Sequence, residues 1–230
     1  MPGQNWSKTW TFYEGEWREG NVPIMGVRDH AVWLCSSVFD GARTFEGVSP
    51  DLDLHCARVN ASAEIMHLKP AVPTEQWLEL TREGTKHFDK DAALYIRPMY
   101  WAERSGTLLV APDPESTKWC LSLYEAPMRK PEGFSVTLSP YRKPSLECMP
   151  VNAKAGCLYP NNARALLEAT RAASATAWCS ICWETWQSLL PPTFSSERTV
   201  SCSPPRRTAH FSMASRVSVS SSFCAMPAWT

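Results

Sequence analysis

At Ala172 the chain changes character, and that change limits what it can fold into. Residues 173–230 contain no Gly, Asn, Asp, Lys or Tyr, and over-use Ser, Cys, Trp, Arg and Pro. Gly and Asn are the usual residues for turn positions with positive φ. The apolar positions of the stretch follow no clear period. Without a packing pattern it cannot offset the ~1–2 kcal/mol per residue that backbone ordering costs. The sequence predicts disorder from about Ala173 and a compact fold confined to residues 1–172.

The tail also reads as text in the wrong frame. When permitted codons for Cys179 to Leu189 are regrouped by one base, one allowed reading is Phe-Asp-Met-Leu-Gly-Asn-Val-Ala-Glu-Leu. The same shift over Val200 to Val217 spells a segment ending Asn-Gly-Ile-Thr-Arg. Both carry the Gly, Asn and alternating apolar residues of strands and turns. The expectation is a single-base slip near Arg171; the alternative is a natural Ser- and Pro-rich extension.

A formal net charge of zero on 230 residues argues against a nucleic-acid partner or an acidic surface recognised by bulk electrostatics. The polar start has no signal-peptide core, and no apolar run approaches the roughly 18 residues needed to span a bilayer. A soluble, cytoplasmic protein with no membrane partner is expected. In that setting Cys35, Cys56, Cys120, Cys148 and Cys157 read as reduced, mostly buried thiols. Cys179 and Cys182 form a C-x-x-C pair with no second ligand pair, so it reads as coincidence, and no metal is expected.

The body reads as mixed α/β. Thr9 to Arg18 fits a hairpin around Glu14-Gly15, and Trp33 to Phe39 a strand. Gly41 to Phe45 fits another strand, with a turn at Glu46-Gly47. Val59, Ala63 and Met66 share a helical face in 57–68, and Thr74 suits the N-cap of the next helix. Strands are expected at 92–101, 119–125 and 134–139, with Pro98 marking a bulge or strand end. Asn161 to Arg171 is helical, with Ala163, Leu166 and Leu167 on a common side. The expected layout is a small domain at 1–125, a linker at 126–133, the opening of a larger domain at 134–172, and the tail.

Few residues stand out chemically. Lys154 lies in Val-Asn-Ala-Lys-Ala-Gly among small or uncharged neighbours, which permits desolvation and Schiff-base chemistry. An ordinary exposed lysine is the other reading. Tyr159, five residues on, can offer its phenol to a ring-bound oxygen. Arg58 has no acid three or four residues before it; it is either a bidentate anion clamp or a solvated arginine. Tyr95 and Arg97 alternate on one strand face, suited to a carboxylate or else facing solvent from an edge. Arg43 offers a weaker version of the same, and His30 reads as a structural hydrogen-bonding residue.

Three ordered motifs, Ser37-Val38-Phe39-Asp40-Gly41-Ala42-Arg43, Tyr95-Ile96-Arg97-Pro98 and Asn152-Ala153-Lys154-Ala155-Gly156 with Tyr159, give the chain a resemblance. Residues 10–171 resemble the class IV, pyridoxal-phosphate-dependent aminotransferases, and most of all those for branched-chain amino acids. The resemblance implies an α/β, two-domain fold of type IV with an incomplete second domain. It also implies pyridoxal 5'-phosphate as cofactor and amino-group transfer from leucine, isoleucine or valine to 2-oxoglutarate. Lys154 is the residue implied to bond the cofactor and to carry the proton, Tyr159 to hold its 3′-oxygen and Arg58 its phosphate. Phe39, Tyr95 and Arg97 are implied substrate-pocket residues. Members of the family form homodimers or larger assemblies.

The chain departs from the family at Leu34, where the bacterial branched-chain enzymes often have Tyr. It also lacks the Glu that faces the pyridine nitrogen and the Gly-Ile-Thr phosphate cradle; the shifted frame restores both. Impaired or absent activity is therefore expected. Other class IV enzymes (D-amino-acid or amine transaminases, aminodeoxychorismate lyases) and a non-catalytic frameshift product are the alternatives.

Overall fold

The computed structural model describes residues 6–128 and 135–172, together with two strand backbones at 176–180 and 186–188. All belong to one compact unit, Met1–Glu197. Among them, no helix is long and apolar enough to cross a membrane. The linker expected at 126–133 lies outside the described residues beyond Met128.

The hairpin forms as expected. Strand β1 (Thr9–Tyr13) pairs with β2 (Glu16–Glu19), Tyr13 facing Glu16. Both loop residues have positive φ, Glu14 at 52° and Gly15 at 86°, which matches the right-handed twist of the strands. Residues 33 and 34 are helical rather than extended: α1 (His30–Leu34) is a single turn, stopped by Cys35 in the left-handed region. Strand β3 (Ser37–Phe39) follows and then β4 (Ala42–Thr44), with a turn at Glu46-Gly47 as expected.

Helix α2 (Leu52–Ile65) buries Val59 and Ala63, and α3 (Thr74–Thr85) buries Trp77 and Leu80. Thr74 is the first helical residue, not the cap; that place falls to Pro73. Strands β5 (Leu94–Ala102) and β6 (Thr117–Glu125) pair along their whole length. The sheet runs β2-β1-β6-β5-β3, with β4 also on β5, and every pairing is antiparallel.

Pro98 does not end its own strand. It interrupts the neighbouring one. Phe39 faces Met99 and Ala42 faces Ile96, so β3 and β4 share one register and are separated only at Asp40 and Gly41. A hydrogen-bonded antiparallel pair exchanges two bonds, and proline can supply only one. Asp40 N–H donates to the Pro98 carbonyl (3.0 Å), and nothing can be donated in return.

Alternation along β5 separates two faces. Leu94, Ile96 and Tyr100 enter the main core with Val38, Val59, Trp77, Leu121 and Leu123. Tyr95 and Arg97 point to the other face, and because β5 is central they do not form a solvent-facing edge. Ala153 and Ala155 also join this core, and Ala155 bridges Val38 on the outer edge of β3. The segment before α4 is thereby tied to the first sheet.

Strand β7 (Val136–Leu138) lies within the expected 134–139. Helix α4 (Tyr159–Arg171) buries Ala165 and Ala169 against Tyr141, whereas Leu166 and Leu167 are exposed. The alanine stripe, rather than the leucines, faces inward. Instead of irregular chain throughout 173–230, the backbone forms β8 (Thr176–Ser180), parallel to β7, and β9 (Trp186–Ser188), antiparallel to β8. The β7-α4-β8 connection is a crossover of the kind that parallel strands require. The rest of the expected disordered tail lies outside the described residues. Of the five body cysteines, all free, only Cys56 and Cys120 are buried.

Candidate active site

The face of β5 opposite the core gathers the polar groups. Register puts Tyr124 opposite Tyr95, Arg43 opposite Tyr95 and Phe39 opposite Met99, so all share the face of Arg97. The Arg97 guanidinium lies 5.3 Å from the Tyr95 ring, 5.2 Å from Tyr124 and 5.9 Å from Phe39. Its Nη2 donates to the Tyr124 hydroxyl, while its Nε is buried without a partner. Arg43 is occupied: Nη1 donates to the Ala126 carbonyl (2.7 Å) and its plane covers Tyr95 at 5.6 Å. Tyr95 fits only because residue 41 is glycine. A Cβ there would stand 1.8 Å from the phenol oxygen.

Lys154 reaches this face from the segment paired with β3. Phe39 N–H donates to the Lys154 carbonyl (3.1 Å), and Lys154 N–H donates to Ser62 Oγ on α2 (3.0 Å). The backbone is therefore held by two elements of the first sheet and its helices. The side chain lies over the Phe39 ring, Nζ 5.0 Å from its centroid, and donates to Tyr159 Oη at 3.1 Å. Tyr159, at the start of α4, also packs on Phe39, with centroids 5.1 Å apart. Burial lowers the Lys154 pKa below the ordinary lysine value; Asp40 opposes this, and Arg58 and Arg97 add to it. Burial raises the Tyr159 phenol, Asp40 adds to the rise, and the two arginines oppose it. Tyr159 is thus held as a hydroxyl, able to donate.

Arg58 is not free. Asp40, fully buried, accepts from its Nε (2.6 Å) and Nη2 (2.8 Å). Asp40 Oδ1 is also 2.8 Å from His55 Nδ1 and accepts from Gly41 N–H at 2.7 Å. Burial by itself raises the Asp40 pKa, but the bonds from Arg58 and His55 outweigh it and bring it down to about 2. An ionised carboxylate only accepts, so His55 carries its proton on Nδ1.

Lys154, Tyr159, Phe39, Tyr95 and Arg97 come together, with Arg58 joined to them electrostatically through Asp40. Sequence reasoning missed four partners: Asp40, His55, Tyr124 and Ser62. The Phe-Asp-Gly text was visible, but Asp40 pairs with Arg58 across 18 residues rather than within the helix. Tyr124 required the register of β5 and β6. His30 is structural, buried between Ser36 Oγ (2.7 Å) and the Val110 carbonyl (3.1 Å). Cys182 lies outside the described residues. Asp40 pairs with Arg58, while Lys154 feels both Arg58 and Arg97 beside it, so cationic side chains outnumber this carboxylate and the described site suits an anionic ligand.

Comparison with known proteins bears on this geometry. Residues 37–180 match the family model for amino-transferase class IV. A protein of Rickettsia bellii (strain RML369-C) named probable branched-chain-amino-acid aminotransferase is 29% identical over 133 residues, 56% of this chain and 45% of that protein. Its counterpart in Rickettsia typhi (strain ATCC VR-144 / Wilmington) is 28% identical over 134 residues, 58% and 46% of the two chains. The chain thus spans about half the length of the curated relatives it matches. Among solved structures, an aminotransferase from Brucella abortus bound to the cofactor PLP is 50% identical with a TM-score of 0.77, over 78% of this chain and 64% of that one. The branched-chain amino acid aminotransferase of Escherichia coli is 20% identical with a TM-score of 0.67, over 80% and 61%, a likeness of fold alone.

Proposed function

This chain belongs to the class IV aminotransferases, and from that premise we propose that its Lys154 site binds pyridoxal 5'-phosphate. The proposed reaction transfers an amino group from a branched-chain amino acid to 2-oxoglutarate. The observation that carries this is the Lys154 amine, partly withdrawn from water over Phe39 and hydrogen-bonded to Tyr159 beside two arginines.

The residues present fit the cofactor. When bound, pyridoxal phosphate supplies an aldehyde and an electron sink. Lys154 Nζ, whose pKa burial lowers, is the nucleophile and later the atom that holds and moves a proton. Tyr159 Oη donates to the ring-bound oxygen. Arg58, whose Nη1 is not among the atoms given to Asp40, meets the phosphate. Arg97, with a buried Nε seeking an acceptor, takes the substrate carboxylate. Phe39 shields the amine from water, and Tyr95 and Tyr124 orient Arg97. The branched-chain assignment follows the names carried by the Rickettsia relatives.

Residues 173–230 of this chain contain neither an Asn-Val-Ala-Glu text nor a Gly-Ile-Thr text, consistent with a slip of frame near Arg171. We propose that turnover is weak or lost for that reason, while the Lys154 face persists. The test adds pyridoxal phosphate to the purified chain and follows the visible absorption band and leucine-dependent glutamate formation. A band that disappears in Lys154→Ala, with little or no glutamate, is expected. A Lys154→Ala protein that gives the same band would overturn the reading; vigorous turnover would overturn only the claim of impairment.

A further inference from the structure

Resting on that reading of the site, we propose that Asp40 is a positioning residue: it locks the Nε–Nη2 edge of Arg58, so that an incoming oxyanion meets the guanidinium at its terminal edge, where Nη1 lies.

The argument is one of occupied donors. A guanidinium has two edges that can grip an oxyanion in bidentate fashion, Nε with one terminal nitrogen and the two terminal nitrogens together. Asp40 takes the first edge at 2.6 and 2.8 Å. The second keeps both N–H groups of Nη1 and the outer N–H of Nη2, with His55 Nδ1 3.1 Å from Nη2. Of the two readings, anion clamp or solvated arginine, the first holds for one edge, which grips the protein's own carboxylate and leaves the terminal edge to a ligand.

Asp40 cannot readily drift to release that edge. It is fully buried, its backbone N–H is fixed on the Pro98 carbonyl, and its Oδ1 also accepts from Gly41 N–H and His55. The Arg58 side chain, by contrast, is 45% exposed, and a long exposed arginine samples many rotamers unless tied. The carboxylate removes that freedom before any ligand arrives, which is how preorganisation raises affinity without adding a contact to the ligand.

The test uses the full chain and three probes: pyridoxal phosphate, pyridoxal without phosphate, and inorganic phosphate. In the free protein, Arg58 Nε–H should exchange with solvent slowly, and Asp40→Asn should speed it by about tenfold or more. The same substitution should weaken pyridoxal phosphate by about tenfold while leaving pyridoxal within about twofold. In an Arg58→Met background, Asp40→Asn should cost no further affinity for the phosphate ester. Unchanged exchange, or equal weakening of both pyridoxal forms, overturns the proposal. If Asp40→Asn does not fold, Arg58→Lys, which keeps the charge but cannot grip Asp40 in two places, should show the same selective loss. If the parent binds no pyridoxal phosphate, the proposed function falls. Asp40's role is then judged by the exchange rate and by whether inorganic phosphate perturbs the Arg58 Nη1 signal in the parent alone.

Discussion

The first sheet with its two helices and the stretch from Tyr141 to Arg171 are built on different terms. The former interlocks large side chains: Trp77 meets Tyr100 and Trp119 edge-on at 5.6 and 5.2 Å, and its indole N–H donates to Asn60. The latter buries little of its own, chiefly Ala165 and Ala169 beside Tyr141. Yet Lys154 sits at the junction, its backbone held by Ser62 and β3 rather than by α4. A residue that the sequence assigns to the opening of a larger domain, 134–172, is thus held by the first sheet and α2. The geometry of the site depends on a core formed by other residues far earlier in the chain.

The sharpest way to break this contrast is at Trp77. Trp77→Ala should cost ~3–5 kcal/mol in denaturant unfolding, because it empties a fully buried site with three fixed neighbours. A cost below ~1 kcal/mol would refute the two-tier picture.

Acid titration comes next. The Asp40 pKa is held at about 2 in the fold against an unfolded value of 3.8. Its contribution is therefore fully present above pH ~4 and is lost as pH falls through about 2. The difference amounts to about 2 kcal/mol, seen as an acid unfolding step that shrinks in Asp40→Asn.

Ser62→Ala removes the hydroxyl that accepts from Lys154 N–H at a buried position. It should cost ~1–2 kcal/mol and slow formation of the Lys154-dependent band, which links the two regions in one measurement. For Lys154 itself, the neutral fraction grows as pH rises through its lowered pKa, so the band should form faster with rising pH, with a midpoint below the usual lysine value of roughly 10.4. The smallest effect is expected at Leu167, exposed on α4, where Leu167→Ala should stay within ~0.5 kcal/mol. A larger cost would mean that the second region has a core beyond its alanines.

What could be read in advance follows the range of the interactions. The Glu14-Gly15 hairpin, the β5 and β6 strands and the Lys154–Tyr159 pair depend on residues within a few positions of one another, and each left a local pattern. On α4 the common side of Ala163, Leu166 and Leu167 was legible, but not that the buried residues would be Ala165 and Ala169, which pack on Tyr141. Strand was expected at residues 33 and 34 because a five-residue apolar run has no distinguishing period. Tyr124 could not be assigned because its partner is fixed by strand register, and Asp40 because Arg58 and His55 reach it from α2; a single sequence reveals neither.

One absent hydrogen atom on Pro98 has a reach beyond its own strand. Because that imide nitrogen offers nothing across the sheet, the Asp40–Pro98 pair keeps one bond of two at the point where β3 gives way to β4. An ordinary amino acid at position 98 would carry the N–H for the missing rung. The break from which Asp40 reaches Arg58 thus lies opposite a donor that the backbone does not possess.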